Sequence, residues 1–294
     1  MALHIVAAGE IYIDQVLAGF TSWPQPGEEA FASSLVKEVG GGAPHTAAGL
    51  ARLGRDVALV GPIGNDPWAR ARLEQLGVKT DRLWQHTSEP TGTTIAVSMP
   101  GERTFFTYRG ANVAVEAALR EVPRADHLHL GVACSAELLT WLCRRAKTIS
   151  IDAGWHPHWL RDDAVKQALR AVTWFMPNEI EAAALTGESD PTEMLRQFEA
   201  LQIRAVVKLG AAGSATIVNG KYRQVDSIPI DPVDTTGAGD CFDAGFLDAW
   251  LSGEDLETCL ASGNICGALS TRKMGGMNGF PTREEMNEWR SKSR

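Results

Sequence analysis

Short apolar runs alternate along this chain with ten-to-fifteen-residue stretches of helical period, and that rhythm sets the expected fold. Ile5-Val6-Ala7-Ala8-Gly9 is a compact apolar run closed by glycine, the pattern of a buried strand. Residues 57–61, 127–131, 148–152, 172–176 and 205–214 repeat it, the last running into a glycine turn. Between them, Asn65-Asp66-Pro67 caps a helix through Leu76. Residues 136–145 predict another helix, and a further one ends near Ala171. Strands alternating with helices mean βαβ units. The fold class is therefore α/β, a mostly parallel central sheet with helices on both faces and ligands at the strands' carboxyl ends.

A second pattern interrupts the first. Residues 10–16 alternate, with Asp14 at a strand end, and another alternating run centres on Ala30-Phe31-Ala32. Residues 92–98 and 103–109 flank the turn Pro100-Gly101-Glu102 as a hairpin. Together these segments, about residues 11–37 and 92–110, predict a small β-sheet lid inserted in one α/β domain spanning residues 1–294. The hairpin is rich in aromatics for a surface ribbon. Either it packs on the main domain and a second subunit, giving a homodimer through the lid, or it closes over substrate.

Bulk composition narrows the function. A chain of 294 residues, 44% hydrophobic and 22% charged, can bury a full core. Its formal charge of −8 argues against a nucleic-acid partner, which needs a basic face. The five cysteines form no Cys-x-x-Cys pair or zinc spacing, so reduced thiols are expected. With no apolar run long enough to span a bilayer and no signal-peptide pattern, a cytoplasmic protein is expected.

The chemistry concentrates near residues 230–251. Ser227-Ile228-Pro229-Ile230 reads as the end of a strand, and Phe242, Phe246, Ala249 and Trp250 recur at helical spacing. Thr236-Gly237-Ala238-Gly239 is then a strand-to-helix junction whose glycines let backbone N–H groups converge. Such groups, with the positive end of a helix dipole, make an anion pocket. Asp240 falls in the first helical turn as a carboxylate. The pair suits phosphoryl transfer from ATP to an alcohol: amides hold the moving phosphoryl group and the carboxylate accepts the hydroxyl proton.

All seven residues of Asp234-Thr235-Thr236-Gly237-Ala238-Gly239-Asp240 match the signature of the ribokinase-like (PfkB) carbohydrate kinases, which the chain resembles over nearly its whole length. The glycine cluster Gly40-Gly41-Gly42, opening a small-residue helix that Gly54 ends, is similar to the family's first signature, Gly-Gly-x-x-x-Asn. His45 stands in the Asn place, a ligand for sugar or a packed ring. The resemblance implies that Asp14, Gly41 and Gly42 hold a small-molecule sugar and that Asp240 is the base beside Gly237, Ala238 and Gly239. Asn178 and Glu181 have the spacing of a capping box and of the family's Asn-x-x-Glu element, which is associated with phosphate and Mg2+, Glu181 acting through water. Lys208, Gly210, Gly213 and Asn264 are implied on the ATP side. Asp234, Thr236 and Gly276 are implied at a monovalent-cation site, K+ being the candidate. Arg109 reads either as a ligand for hydroxyl, carboxylate or phosphate, or as a solvated arginine.

The expected activity is ATP-dependent phosphorylation of a hydroxymethyl group on a small sugar. A nucleoside kinase and a 2-keto-3-deoxygluconate kinase are alternatives of the same fold, and a non-catalytic sugar-binding protein is an alternative of another class. The pairs His127/His129 and His156/His158 read as strand and loop histidines rather than metal ligands.

Overall fold

The computed structural model describes residues 3–20, 22–99 and 102–292. Its centre is a five-stranded parallel sheet in the order Trp174–Phe175, Ala146–Ile151, Ala125–Gly131, Ile5–Gly9, Val57–Val60. The strand Ile5–Gly9 is buried at every position, and its side chains divide by parity. Val6 and Ala8 pack with Leu128, Leu130 and Ile151 on one face. Ile5 and Ala7 pack with Val57 and Leu59 on the other. Period-two alternation thus feeds two separate cores, which is why the strand shows no polar face in the sequence.

Parallel bridges from Phe175 to Ala205 and from Asn178 to Lys208 carry this sheet onto Val206–Lys208. From there Ser214–Val218 and Lys221–Val225 continue antiparallel. His127 and His129 are fully buried strand residues, hydrogen-bonded to Thr148 and Ser150. Burial pushes their pKa down to about 3 and about 4, so both rings are neutral.

A separate four-stranded sheet runs in the order Ser34–Gly40, Tyr12–Ala18, Gly92–Met99, Glu102–Tyr108. Its two inner strands are parallel and its outer pairs antiparallel. Three local expectations change here. Asp14 is mid-strand, paired with Glu38 and Thr94, not at a strand end. The run around Phe31 is irregular, and pairing begins at Ser34, reaching into the glycine cluster. Gly40 belongs to that strand because the Asp14 carboxylate lies across it: a Cβ there would stand 2.1 Å from Oδ2. Of the expected turn Pro100-Gly101-Glu102, Pro100 and Gly101 lie outside the described residues.

Residues 227–230 are not a strand. The ladder stops at Val225, and Pro229 and Pro232 deny the next stretch the N–H groups a ladder needs. An extended segment therefore delivers the chain to the helix Ala238–Leu251. That helix packs on Gly42–Arg52 and Leu256–Ser270 through small residues: a Cβ on Gly49 would meet that of Ala244 at 2.6 Å.

Candidate active site

The helix Ala238–Leu251 starts without a side-chain cap. Gly237 is its N-cap, held at φ 71, where an L side chain is strained and where none is available to take the first amides. The amide of Ala238 turns back to the Thr235 carbonyl at 3.2 Å, which leaves the N-terminal positive pole to Gly239 and Asp240. Gly237, Ala238, Gly239 and Asp240 together line a cavity of about 520 Å³ at the carboxyl edge of the parallel sheet. Gly41, Gly42, Asn178, Glu181, Lys208 and Gly210 line the same cavity.

Its floor is a buried charge cluster. Lys208 Nζ lies 2.6 Å from Asp152 Oδ2 and 3.2 Å from Asp243 Oδ1. Burial works against charge on all three groups, but the two carboxylates hold the Lys208 ammonium firmly protonated. Burial likewise opposes charge on Asp152, yet Lys208 outweighs it and keeps this carboxyl below the usual range. Asp243, fully buried and farther from the ammonium, is pushed well above it. One lysine thus sustains one charged carboxylate, and the second keeps its proton. Glu181 is next in line: burial, then the charge of Asp152, push its pKa up to about 7. Ligand oxygens of Asp152, Asp240 and Asp243 all lie within 4.8 Å of one another.

Asn178 and Glu181 form the capping box that their spacing predicts, Glu181 accepting from the Asn178 amide and Asn178 accepting in return, both at 3.0 Å. The same two side chains face the cavity.

A second, more apolar cavity of about 580 Å³ meets the first along Lys208, Gly210, Ala238 and Gly239. Ile228, Pro229, Phe242 and Ala268 give it a greasy lining, and Gly213 and Asn264 lie on its wall. Asn264 Nδ2 donates to the carbonyls of Val225 and Asp226 at 2.8 and 3.3 Å, fixing the segment that forms the rim.

Other candidates fall outside both linings. Asp14 lies over Gly40. His45 is buried and reaches Asp240, its Nδ1 3.4 Å from Oδ2. Arg109 pairs with Glu10 at 3.1 Å and donates to the Asn112 carbonyl at 3.2 Å. Asp234 ties two loops together, accepting from Thr236 N at 3.0 Å, Thr236 Oγ1 at 2.7 Å and Gly275 N at 2.9 Å, with Gly276 adjacent at φ 66.

The sequence reading passed over Asp152, Asp243, Glu10 and Tyr12. Two of these had a signal. Asp152 follows a parallel strand at its carboxyl end, where ligands collect. Asp243 lies three residues beyond Asp240, on the same helix face. Glu10 and Tyr12 line the cavity only because the chain passes there from one sheet to the other.

A family model described as pfkB family carbohydrate kinase matches residues 2–283. The chain is 30% identical over 293 residues to a ribokinase of Bacillus subtilis (strain 168), covering 97% of this chain and 98% of that one. It is 30% identical over 289 residues to a 2-dehydro-3-deoxygluconokinase of the same organism, covering 89% of each. Among solved structures, Arabidopsis thaliana ribokinase complexed with ribose and ATP shares the fold, with a TM-score of 0.82 at 24% identity and 98% coverage of both chains.

Proposed function

We propose, for a chain that belongs to the pfkB family of carbohydrate kinases, that it transfers the γ-phosphoryl group of ATP to a hydroxymethyl group of a small neutral sugar, with Asp240 as the base. The observation that carries this reading is the position of Asp240 and Gly239. They open an uncapped helix at the seam between a polar and an apolar cavity. ATP in the apolar cavity would present its terminal phosphate to Gly239, and a sugar in the polar cavity would present its hydroxyl to Asp240. The carboxylate takes the hydroxyl proton as the oxygen attacks phosphorus, and the helix pole stabilises the charge on the phosphoryl oxygens.

A neutral sugar is favoured over a sugar acid by the charges already in place. Arg109 is committed to Glu10, and Lys208 to Asp152 and Asp243. The remaining acidic groups, Glu181 and Asp240, face the same space and would repel a carboxylate substrate. Asp14 and the bare backbone of Gly41 and Gly42 offer acceptors and close approach to hydroxyls once the four-stranded sheet folds over as a lid.

Kinases of this family use ATP with Mg2+, and the site suits that ion. Its carboxylates outnumber its one lysine, and hard oxygen donors are what Mg2+ prefers. Glu181, through water, and the Asp152 carboxylate would hold it, and the ion would neutralise phosphate charge. A monovalent cation such as K+ belongs to the same reading, held by Asp234, Thr236 and the carbonyl of Gly276. A cytoplasmic location fits five unpaired cysteines, and no helix among the described residues is long and apolar enough to cross a membrane.

The test is ADP release over pentoses, hexoses, sugar acids and nucleosides, repeated with Asp240→Asn. The variant should stay folded and turn over the preferred sugar roughly 10²–10⁴-fold more slowly, as loss of a general base requires. Near-normal turnover would remove Asp240 from its role.

A further inference from the structure

The helix that carries Asp240 is held by a neighbouring helix along one stripe. Gly42, Thr46 and Gly49 are spaced four and three apart in Gly42–Arg52, so they share a face. Each of them meets the helix Ala238–Leu251. A Cβ on Gly42 would stand 3.1 Å from Asp240 Oδ1, and one on Gly49 would stand 2.6 Å from the Cβ of Ala244. Between these two, the fully buried Thr46 donates from Oγ1 to the Asp240 carbonyl at 3.2 Å. Another helix, Leu256–Ser270, closes as tightly from elsewhere. A Cβ on Gly245 would stand 2.5 Å from the Ser262 carbonyl, and one on Gly263 would stand 2.7 Å from the Phe242 ring.

Of the three contacts in the stripe, only the hydroxyl's is directional. A glycine against a methyl group or a carboxylate lets two helices come close but leaves them free to slide. A threonine inside a helix commonly turns its hydroxyl back to a carbonyl of its own preceding turn. Thr46 instead reaches a partner 194 residues away, and that partner is Asp240. We propose that Thr46 is a positioning residue for Asp240, setting the depth and rotation at which the first turn of Ala238–Leu251 enters the cavity. The proposal rests on Asp240 being the base, and it deepens that assignment.

The start of the helix supplies no such stop by itself. Its N-cap is Gly237, at φ 71 and without a side-chain cap, and Gly239 has no side chain to pack. A general base must meet the acceptor hydroxyl at hydrogen-bond distance while the attacked phosphorus lies in line. Misplacement by about 1 Å can cost on the order of 10²-fold in rate. The stop therefore comes from the neighbouring helix. Valine at position 46 would keep the shape of threonine and remove only the hydrogen. The Asp240 carbonyl would keep the N–H that helix geometry supplies four residues on, so no polar group is stranded and the fold should survive.

Two measurements on the full chain test this. Asp240-Cys241 is the only Asp-Cys step in the sequence, so ¹³C at aspartate carbonyls with ¹⁵N at cysteine isolates one peptide bond. Its carbonyl resonance should move upfield in Thr46→Val and stay near its native place in Thr46→Ser. An unmoved resonance in Thr46→Val would overturn the contact. The second measurement is steady-state kinetics. Thr46→Val should lower kcat about tenfold while KM for ATP moves little, and Thr46→Ser should recover most of the loss. Gly49→Ala, which presses on Ala244, should also lower kcat, and adding Ala244→Gly should restore it by returning the room. Native kcat in Thr46→Val, or a loss that serine does not recover, would leave Thr46 a packing residue and overturn the proposal. So would a double variant as slow as Gly49→Ala alone, and this pair carries the test should Thr46→Val not fold. Near-normal turnover in Asp240→Asn would remove the base and the proposal with it. That failure is distinguishable from loss of the contact, because the resonance needs neither sugar nor nucleotide.

Discussion

Glu181 illustrates how far one residue's chemistry could be read in advance. Its spacing from Asn178 announced both a helix cap and a phosphate-side acid; it serves as the cap and lines the polar cavity. What the spacing could not reveal is the field around it, because Asp152 and Lys208 arrive from distant strands. That field gives a signed prediction. The carboxyl is raised from 4.5 to about 7 in the folded chain. Between those values the unfolded chain has released the proton and the folded chain keeps it, so this group makes stability decline as pH rises. Glu181→Gln keeps a capping-box acceptor and has no such decline. Urea unfolding should find it about as stable as the wild type near pH 4 and more stable at pH 8, by on the order of 2 kcal/mol. Added Mg2+ should narrow the gap by stabilising the wild type at pH 8. A variant weaker than the wild type at pH 8 would mean that Glu181 is already paid for by Lys208.

At the scale of elements, the parallel core was legible and the second sheet was only half so. Ile5–Gly9 and Val57–Val60 are buried on both faces, and a closed apolar run says as much. The strand Tyr12–Ala18 was cut short at Asp14 because an acid beside a substrate looks like an end, whereas register continues past it. Residues 227–230 misled in the opposite way: β-branched residues between prolines had no neighbour to pair with. The link between the sheets is a tertiary device that no periodicity encodes. Asn112, fully buried, donates from Nδ2 to the Ile11 carbonyl at 2.8 Å and accepts from the Ile11 amide at 3.0 Å. It acts as a strand partner for the one residue between Ile5–Gly9 and Tyr12–Ala18 that bridges the two sheets beside Glu10. Asn112→Ala strands both backbone groups, each costing about 1–3 kcal/mol. The urea midpoint should drop accordingly, and hydrogen exchange should speed up first in residues 12–18 and 92–99. Uniform exchange across both sheets would show that Asn112 braces the whole fold and not the junction.

For the whole molecule, the outer face of the four-stranded sheet is the feature left without a role in a lone chain. Ile95 pairs with Phe106, and Leu17 pairs with both Leu35 and Val97, so the alternation puts these residues on the face opposite Asp14. Leu35, Ile95 and Phe106 are 62%, 38% and 55% exposed. Phe31 adds to the exposed apolar side chains of this region at 77%. A clustered apolar surface on a sheet marks an interaction site. The proposed homodimer through the lid gives it an occupant, with the inner face kept for substrate. Burying such side chains contributes about 1.5–3 kcal/mol each, so one charge at the centre should suffice to split the pair. Sedimentation of the native chain should give a dimer. Phe106→Asp, on an edge strand away from the core, should give a folded monomer with unchanged far-ultraviolet dichroism. If the lid must be held by its twin to close, that monomer should also hydrolyse ATP without sugar at a higher rate, since an open site admits water. A native chain that sediments as a monomer would overturn this interface, and Phe106→Asp would then change neither the mass nor the KM for the sugar.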